Sequence, residues 1–208
     1  MTEPATIAGA VLAGGQSRRM GADKSQLLLG GVPLVERAAM RLAPQVAEVA
    51  INANGDPQRF ANLGRPVIAD IFTGFSGPLA GVHAAMCWAA GRNRGYTHVA
   101  TVAADTPFFP LDLVLRLLAG AADGETIAMA SSGGNRHPVF GLWPVSLATD
   151  LGTWLTETDT YKVMAWVKRH RLEMCDFPLD RDGTDPFFNA NTPEEFAAAE
   201  RMLQITAS

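Results

Sequence analysis

Ala10-Val-Leu-Ala-Gly-Gly-Gln-Ser-Arg-Arg-Met-Gly-Ala-Asp-Lys24 is an apolar strand that runs straight into a glycine-rich, arginine-bearing loop ending in a lysine. Gly14 and Gly15 lack a Cβ, so the backbone can bend sharply and bring its N–H groups against an anion. Arg18, Arg19 and Lys24 supply the positive charge that a polyphosphate needs. Two familiar nucleotide loops do not fit. A Walker A loop has glycine immediately before its lysine, where this chain has Asp23, and the G-x-G-x-x-G dinucleotide spacing is absent. Taken alone, the segment could still be a glycine-rich turn with solvated basic residues.

Outward from this loop, short apolar runs alternate with helical patterns. Strands are predicted at 6–13, 48–53, 66–69 and 97–104, with later ones near 126–130, 139–143 and 172–176. Helices are predicted at 34–43, 79–90, 111–121, 145–157, 161–170 and 194–203. That order predicts one α/β domain over 1–208: a three-layer α/β/α arrangement around a mostly parallel, twisted, Rossmann-like sheet. Pro33 and Pro110 precede helical patterns and Gly91 and Gly124 follow them, while Thr192-Pro-Glu-Glu195 reads as an N-cap, a proline at the first helical position and an acidic first turn. The polar stretch 131–136, a Gly/Ser hairpin or flap between two strand signals, is long enough to be mobile and reads equally as a connection or a substrate-facing segment.

Ligands of open α/β sheets sit beyond the carboxyl ends of the strands, and the chemistry-bearing residues fall there: Gly14, Asn52, Asp70 and Asp105 close the first four predicted strands. Asp105 follows a strand apolar enough to be buried on both faces. Its carboxylate suits either a helix cap or a Mg²⁺ ion, which takes one or two carboxylates plus substrate phosphates and water. Asn189 and Asn191 are ordinary turn formers whose amides could also offer a carbonyl to a metal and an N–H to a phosphate. Gly77 and Gly81 frame a helix start, open to close ligand approach or to tight packing. His137 reads as a structural hydrogen-bonder rather than a base, and Met86, Trp88 and Trp166 as core. The sequence offers no Ser/His/Asp triad, zinc cluster or nucleic-acid module.

The loop Leu12-Ala-Gly-Gly-x-Ser-Arg-Arg-Met-Gly-x-Asp-Lys24 resembles the signature of the nucleotidyltransferases, and in detail that of the molybdenum cofactor guanylyltransferases. Asn52-Ala-Asn54, Gly77-Pro-Leu-Ala-Gly81, Ala104-Asp-Thr-Pro-Phe108, His137-Pro-Val-Phe-Gly141 and Phe188-Asn-Ala-Asn-Thr-Pro-Glu-Glu195 follow in the family's order, so the resemblance covers nearly the whole chain. It implies the nucleotide-diphospho-sugar transferase fold and an enzyme that joins GMP from GTP to the terminal phosphate of molybdenum-bearing molybdopterin. It implies nucleotide contacts at Leu12, Ala13, Gly14, Gly15, Lys24, Asn52, Asp70, Gly81 and Asp105, and transfer chemistry at Arg19, Lys24 and Asp105. Mg²⁺ would be held by Asp105, with Asn191 nearby, and Asn189 and Asn191 would face the pterin phosphate. Asp70 also suits guanine on chemical grounds, because a carboxylate accepts the two adjacent donors of the guanine Watson–Crick edge. A cytidylyltransferase acting on the same pterin, a sugar-phosphate nucleotidyltransferase, and a non-catalytic pterin or nucleotide carrier are the alternatives. The resemblance further implies cofactor-delivering proteins and apo-molybdoenzymes as partners.

Composition sets the remaining bounds. A chain of 208 residues buries about 70% of its unfolded surface, and 48% hydrophobic with 18% charged residues is globular composition. The net charge of −4 leaves the Arg/Lys loop a local exception and argues against a nucleic-acid partner. Cys87 and Cys175 lack metal-ligand spacing and read as buried thiols of a reduced, cytoplasmic protein. Neither a targeting segment nor a membrane-length apolar run is expected.

Overall fold

The structure, a computed structural model, describes residues 6–14, 24–72, 77–121, 123–180 and 182–206. Its centre is a seven-stranded sheet among those residues. Strands β1 (Ile7–Leu12), β4 (Glu48–Asn52), β5 (Val67–Ile68) and β6 (His98–Ala103) form a parallel half in the order β5-β4-β1-β6. Strand β8 (Asn135–Pro144) runs antiparallel to β6 and to β7 (Ile127–Ser132), and β9 (Leu172–Phe177) pairs parallel to β7 at the far edge. β2 (Leu28–Leu29) and β3 (Val32–Pro33) make a separate small hairpin.

Strand alternation divides the core into two faces. On β1, Ile7 and Val11 point to one side, where they meet Val35, Ala38 and Leu42 of α1 (Leu34–Leu42) and, through β6 and β7, Leu113 and Leu117 of α3 (Leu113–Gly120). Ala8 and Ala10 point to the other, beneath Leu79, Val82 and Met86 of α2 (Pro78–Gly91), with α4 (Ala148–Glu157) and α5 (Val163–Val167) completing that layer. Gly9 sets the spacing on the α1 side: a Cβ there would stand 2.9 Å from both Leu42 and Val46. The last helix, α6 (Pro193–Thr206), packs with Leu29 and Leu34 in a third, smaller cluster.

The predicted alternation is therefore present, with differences of physical origin. The strand predicted at 126–130 continues to Ser132 and the one at 139–143 begins at Asn135, so of the two forms read for the 131–136 stretch it takes the hairpin. Gly133 and Gly134 lie at φ +53° and +80°, the left-handed pair that a two-residue turn of matching twist requires. The helix predicted at 161–170 is one short turn of α-helix, and the 3-10 helix Pro57–Leu63 has no counterpart in the sequence reading. Cys87 and Cys175 are free and half-buried rather than buried. No helix among the described residues is long and apolar enough to cross a membrane.

Candidate active site at the carboxyl ends of the strands

Register places the site. Ile68, Asn52, Leu12 and Ala103 are partners in one row across β5, β4, β1 and β6. The row is extended by the hydrogen bonds Ala13 N to Asn52 O (2.9 Å), Ala53 N to Ile68 O (3.0 Å) and Ala104 N to Leu12 O (3.2 Å). Asp70, Asn54, Gly14 and Asp105 each lie two residues past this row, so four strand ends deliver their chemistry at one level. Asp70 and Asp105 stand three strand spacings apart, roughly 14 Å, with Gly14 between them. The base and the phosphates of an extended nucleotide are separated in the same sense.

The Asp70 end is a pre-built hydrogen-bond cluster. Asn52 is 2% exposed, and its Nδ2 donates to Ile68 O (3.2 Å) and to Asp70 Oδ1 (2.9 Å). Asn54 Nδ2 donates to Asp70 Oδ2 (2.7 Å), and the Asp70 N–H donates back to Asn54 Oδ1 (2.9 Å). Each carboxylate oxygen is thereby fixed by one amide and keeps a further acceptor site for a ligand donor. Gly81, in the first turns of α2, acts through Asn52: a Cβ there would collide with Asn52 Oδ1 and come within 3.4 Å of Leu12. A Cβ on Gly77 would meet the Tyr161 backbone at 3.1 Å, so packing accounts for that glycine. Asn54 was legible only as part of Asn52-Ala-Asn54, where spacing by two keeps both side chains on one side of an extended chain.

The Asp105 end is joined to the chain's late segment. Asp105 O accepts the Ala190 N–H (2.9 Å), and the buried Thr106 hydroxyl donates to Asn189 Oδ1 (2.5 Å) with Asp105 Oδ1 at 3.5 Å. Asn191 N and Thr192 N both donate to Glu195 Oε2, and Glu195 N donates to Thr192 Oγ1: the capping box read at Thr192. From the other side, Arg41 of α1 donates to the carbonyls of Phe108 and Phe109, holding the segment after Asp105. Asp105, Asn189 and Asn191 thus share one locality although more than eighty residues separate them in sequence.

His137 belongs to a polar node that the sequence did not foretell. Ser132 Oγ lies 2.6 Å from His137 Nε2 and donates to Asp185 Oδ1 (2.7 Å), while His137 stacks on Phe187 with ring centroids 4.3 Å apart. Burial pushes its pKa down, against the opposing pull of Asp185. His137 Nε2 faces both Ser132 and Asp185 Oδ2 (3.6 Å), so the ring does not bridge the two through its opposite nitrogens as a nucleophile–base–orienter relay requires. The node anchors the 185–192 segment.

Gly15, Arg18 and Arg19 lie outside the described residues. Lys24 opens a 3-10 turn, Lys24–Gln26. Among the described residues no three His, Cys, Asp or Glu side chains gather as a metal cage. A groove of about 790 Å³ beside α1, lined by Arg37, Met40, Arg41, Leu111 and Met202 among others, contains none of Leu12, Asn52, Asp70 or Asp105.

The MobA-like NTP transferase domain family matches residues 9–173. A protein of Rhizobium leguminosarum named molybdenum cofactor guanylyltransferase is 49% identical over 201 residues, covering 95% of this chain and 93% of its own. The chain belongs to the molybdenum cofactor guanylyltransferase family. A second member, from Mesorhizobium japonicum, is 47% identical over 205 residues, covering 97% and 98% of the two chains. In fold, the family member resembles the crystal structure of molybdopterin-guanine dinucleotide biosynthesis protein A from Archaeoglobus fulgidus, at TM-score 0.73 and 23% identity, with 95% of this chain and 99% of that one covered. Asn189 and Asn191 lie beyond the matched domain but within the length shared with the full-length relatives.

Proposed function

We infer that this chain transfers GMP from GTP to the terminal phosphate of molybdenum-bearing molybdopterin, releasing pyrophosphate and forming the guanine dinucleotide cofactor. The observation that carries the reading is the level row of strand ends, with a fixed carboxylate for a base at Asp70 and a second carboxylate for phosphates at Asp105. Asp70, held by Asn52 and Asn54, accepts the two donors of the guanine edge. Leu12, Ala13, Gly14 and Gly15 pass the nucleotide along the backbone, with Gly81 keeping Asn52 in place.

The transfer asks little covalent chemistry of the protein. An ionised phosphate is already a nucleophile, so the residues align the substrates and neutralise charge. Arg19 and Lys24 balance charge building on the departing pyrophosphate, and Asn189 and Asn191 receive the pterin phosphate. A lone carboxylate flanked by amides fits Mg²⁺, which completes its shell with substrate oxygens and water. Asp105 and Asn191 would hold that ion, which when bound supplies charge neutralisation at the phosphate oxygens. Delivery proteins and apo-molybdoenzymes are the partners this product calls for.

The test is pyrophosphate release from GTP and molybdenum-bearing molybdopterin, with dinucleotide formed in equal amount. Asp105→Asn, which keeps the shape and removes the charge, is expected to lower Mg²⁺-dependent turnover on the order of 10²-fold while melting normally. Wild-type turnover in that variant overturns the metal assignment; binding of both substrates without pyrophosphate release by the native chain makes it a carrier.

A further inference from the structure

Thr106 has no part in the roles assigned above, yet it is 0% exposed and its hydroxyl is the side-chain link between the two sides of the Asp105 end. A buried hydroxyl must be partnered, and this one has two neighbours of functional type: Asn189 Oδ1 at 2.5 Å and Asp105 Oδ1 at 3.5 Å. With Asn189 Oδ1 facing it the hydroxyl gives its one proton to Asn189; with the amide turned over, Asn189 Nδ2 donates to the hydroxyl, whose proton then goes to Asp105, and it is in this orientation that the hydroxyl joins both groups. Its own freedom is small. β-Branching restricts χ1, and Pro107 confines the Thr106 backbone to extended conformations. The backbone bond from Ala190 N to Asp105 O (2.9 Å) fixes the two segments at the same height, so the hydroxyl has only orientation left to set.

We propose that Thr106 is a positioning residue whose buried hydroxyl fixes the Asp105 carboxylate and the Asn189 amide relative to each other, so that metal-side and pterin-side groups meet the reacting phosphates together. The inference rests on the metal reading of Asp105 given above. A hydroxyl that merely satisfies the core would affect melting alone; a positioning hydroxyl affects the ion and the pterin and leaves metal-free GTP binding unchanged, because guanine is held at the Asp70 end.

The test uses the full chain with GTP and Mn²⁺, a paramagnetic stand-in for Mg²⁺ whose binding is read by electron paramagnetic resonance, together with KM for the pterin and the Kd of metal-free GTP. T106V is expected to weaken Mn²⁺ about tenfold and raise the pterin KM similarly, the loss of one hydrogen bond to a charged group, with the Kd of metal-free GTP, read by calorimetry, unchanged. T106S, which restores the hydroxyl, is expected to recover most of both. Wild-type Mn²⁺ affinity in a folded T106V, or equal losses in T106V and T106S, overturns the proposal. N189A opens the same bond from its other end and is expected to weaken Mn²⁺ similarly; should T106V fail to fold, wild-type Mn²⁺ affinity in N189A overturns the proposal instead. D105N separates the two readings: loss of Mn²⁺ there with none in T106V removes only the positioning role, whereas retention in D105N removes the metal reading beneath it.

Discussion

At the residue scale, the site depends on a few side chains held in place by their neighbours. Asn52 shows this most clearly: buried between Gly14 and Gly81, it has its amide committed to Ile68 O and Asp70 Oδ1. Gly81→Ala drives a methyl into Asn52 Oδ1, and the amide must swing away from Asp70. GTP affinity is expected to fall about tenfold, one charge-assisted hydrogen bond's worth, with little change in melting because alanine favours the helix. Gly91→Ala is the control in the same helix. Nothing lies within 4 Å of its added methyl, so affinity there stays at the wild-type value in the same titration. Equal losses in the two variants would contradict the Asn52 explanation.

At the element scale, strand ends and one helix cap do the positioning. The cap of α6 ties stability to the site, since Glu195 Oε2 accepts from both Asn191 and Thr192. Thr192→Ala is expected to cost about 1 kcal/mol, a fall in Tm of roughly 2–4 °C for a chain of this size. Glu195→Ala, which also removes the acceptor of the Asn191 N–H, should in addition raise KM for the pterin. Much of this scale was legible in the sequence: Gly14, Asn52, Asp70 and Asp105 could be placed at strand ends because apolar runs stop there, and Thr192-Pro-Glu-Glu announced its own cap. What could not be read were contacts between segments distant in sequence. Nothing local indicates that Thr106 meets Asn189, or that Ser132 and His137 meet Asp185. The 131–136 stretch was open between hairpin and flap because Gly-Gly signals a tight turn as readily as a loose loop, and the pairing of Ser131 and Ser132 with Arg136 and Asn135 makes it the hairpin.

At the scale of the whole molecule, burial of histidines couples stability to pH. Burial lowers the pKa of His83, His98 and His137 below the ordinary imidazole value of 6.5. The unfolded chain therefore takes up protons as pH falls through 6.5 while the native state resists them, so the stability these groups contribute is full above 6.5 and declines toward their lowered native values. Tm should drop between pH 7.5 and 5.5, and His98→Gln, which removes the most buried of the three, should flatten that dependence; an unchanged slope would mean that His98 does not titrate on unfolding. Guanine recognition at the Asp70 end of the strand row, on which the proposed reaction depends, is tested most directly by thermal unfolding with GTP, ITP, CTP, ATP or UTP at one common concentration, each with Mg²⁺. A ligand at 100 times its Kd adds about 2.7 kcal/mol of stability, which for a chain of this size raises Tm by roughly 5–10 °C. GTP is expected to give the largest shift, ITP a smaller one because it lacks the exocyclic amine, and the gap between them to close in Asp70→Asn. Equal shifts with all five nucleotides, or the largest shift with CTP, would contradict guanine reading by Asp70.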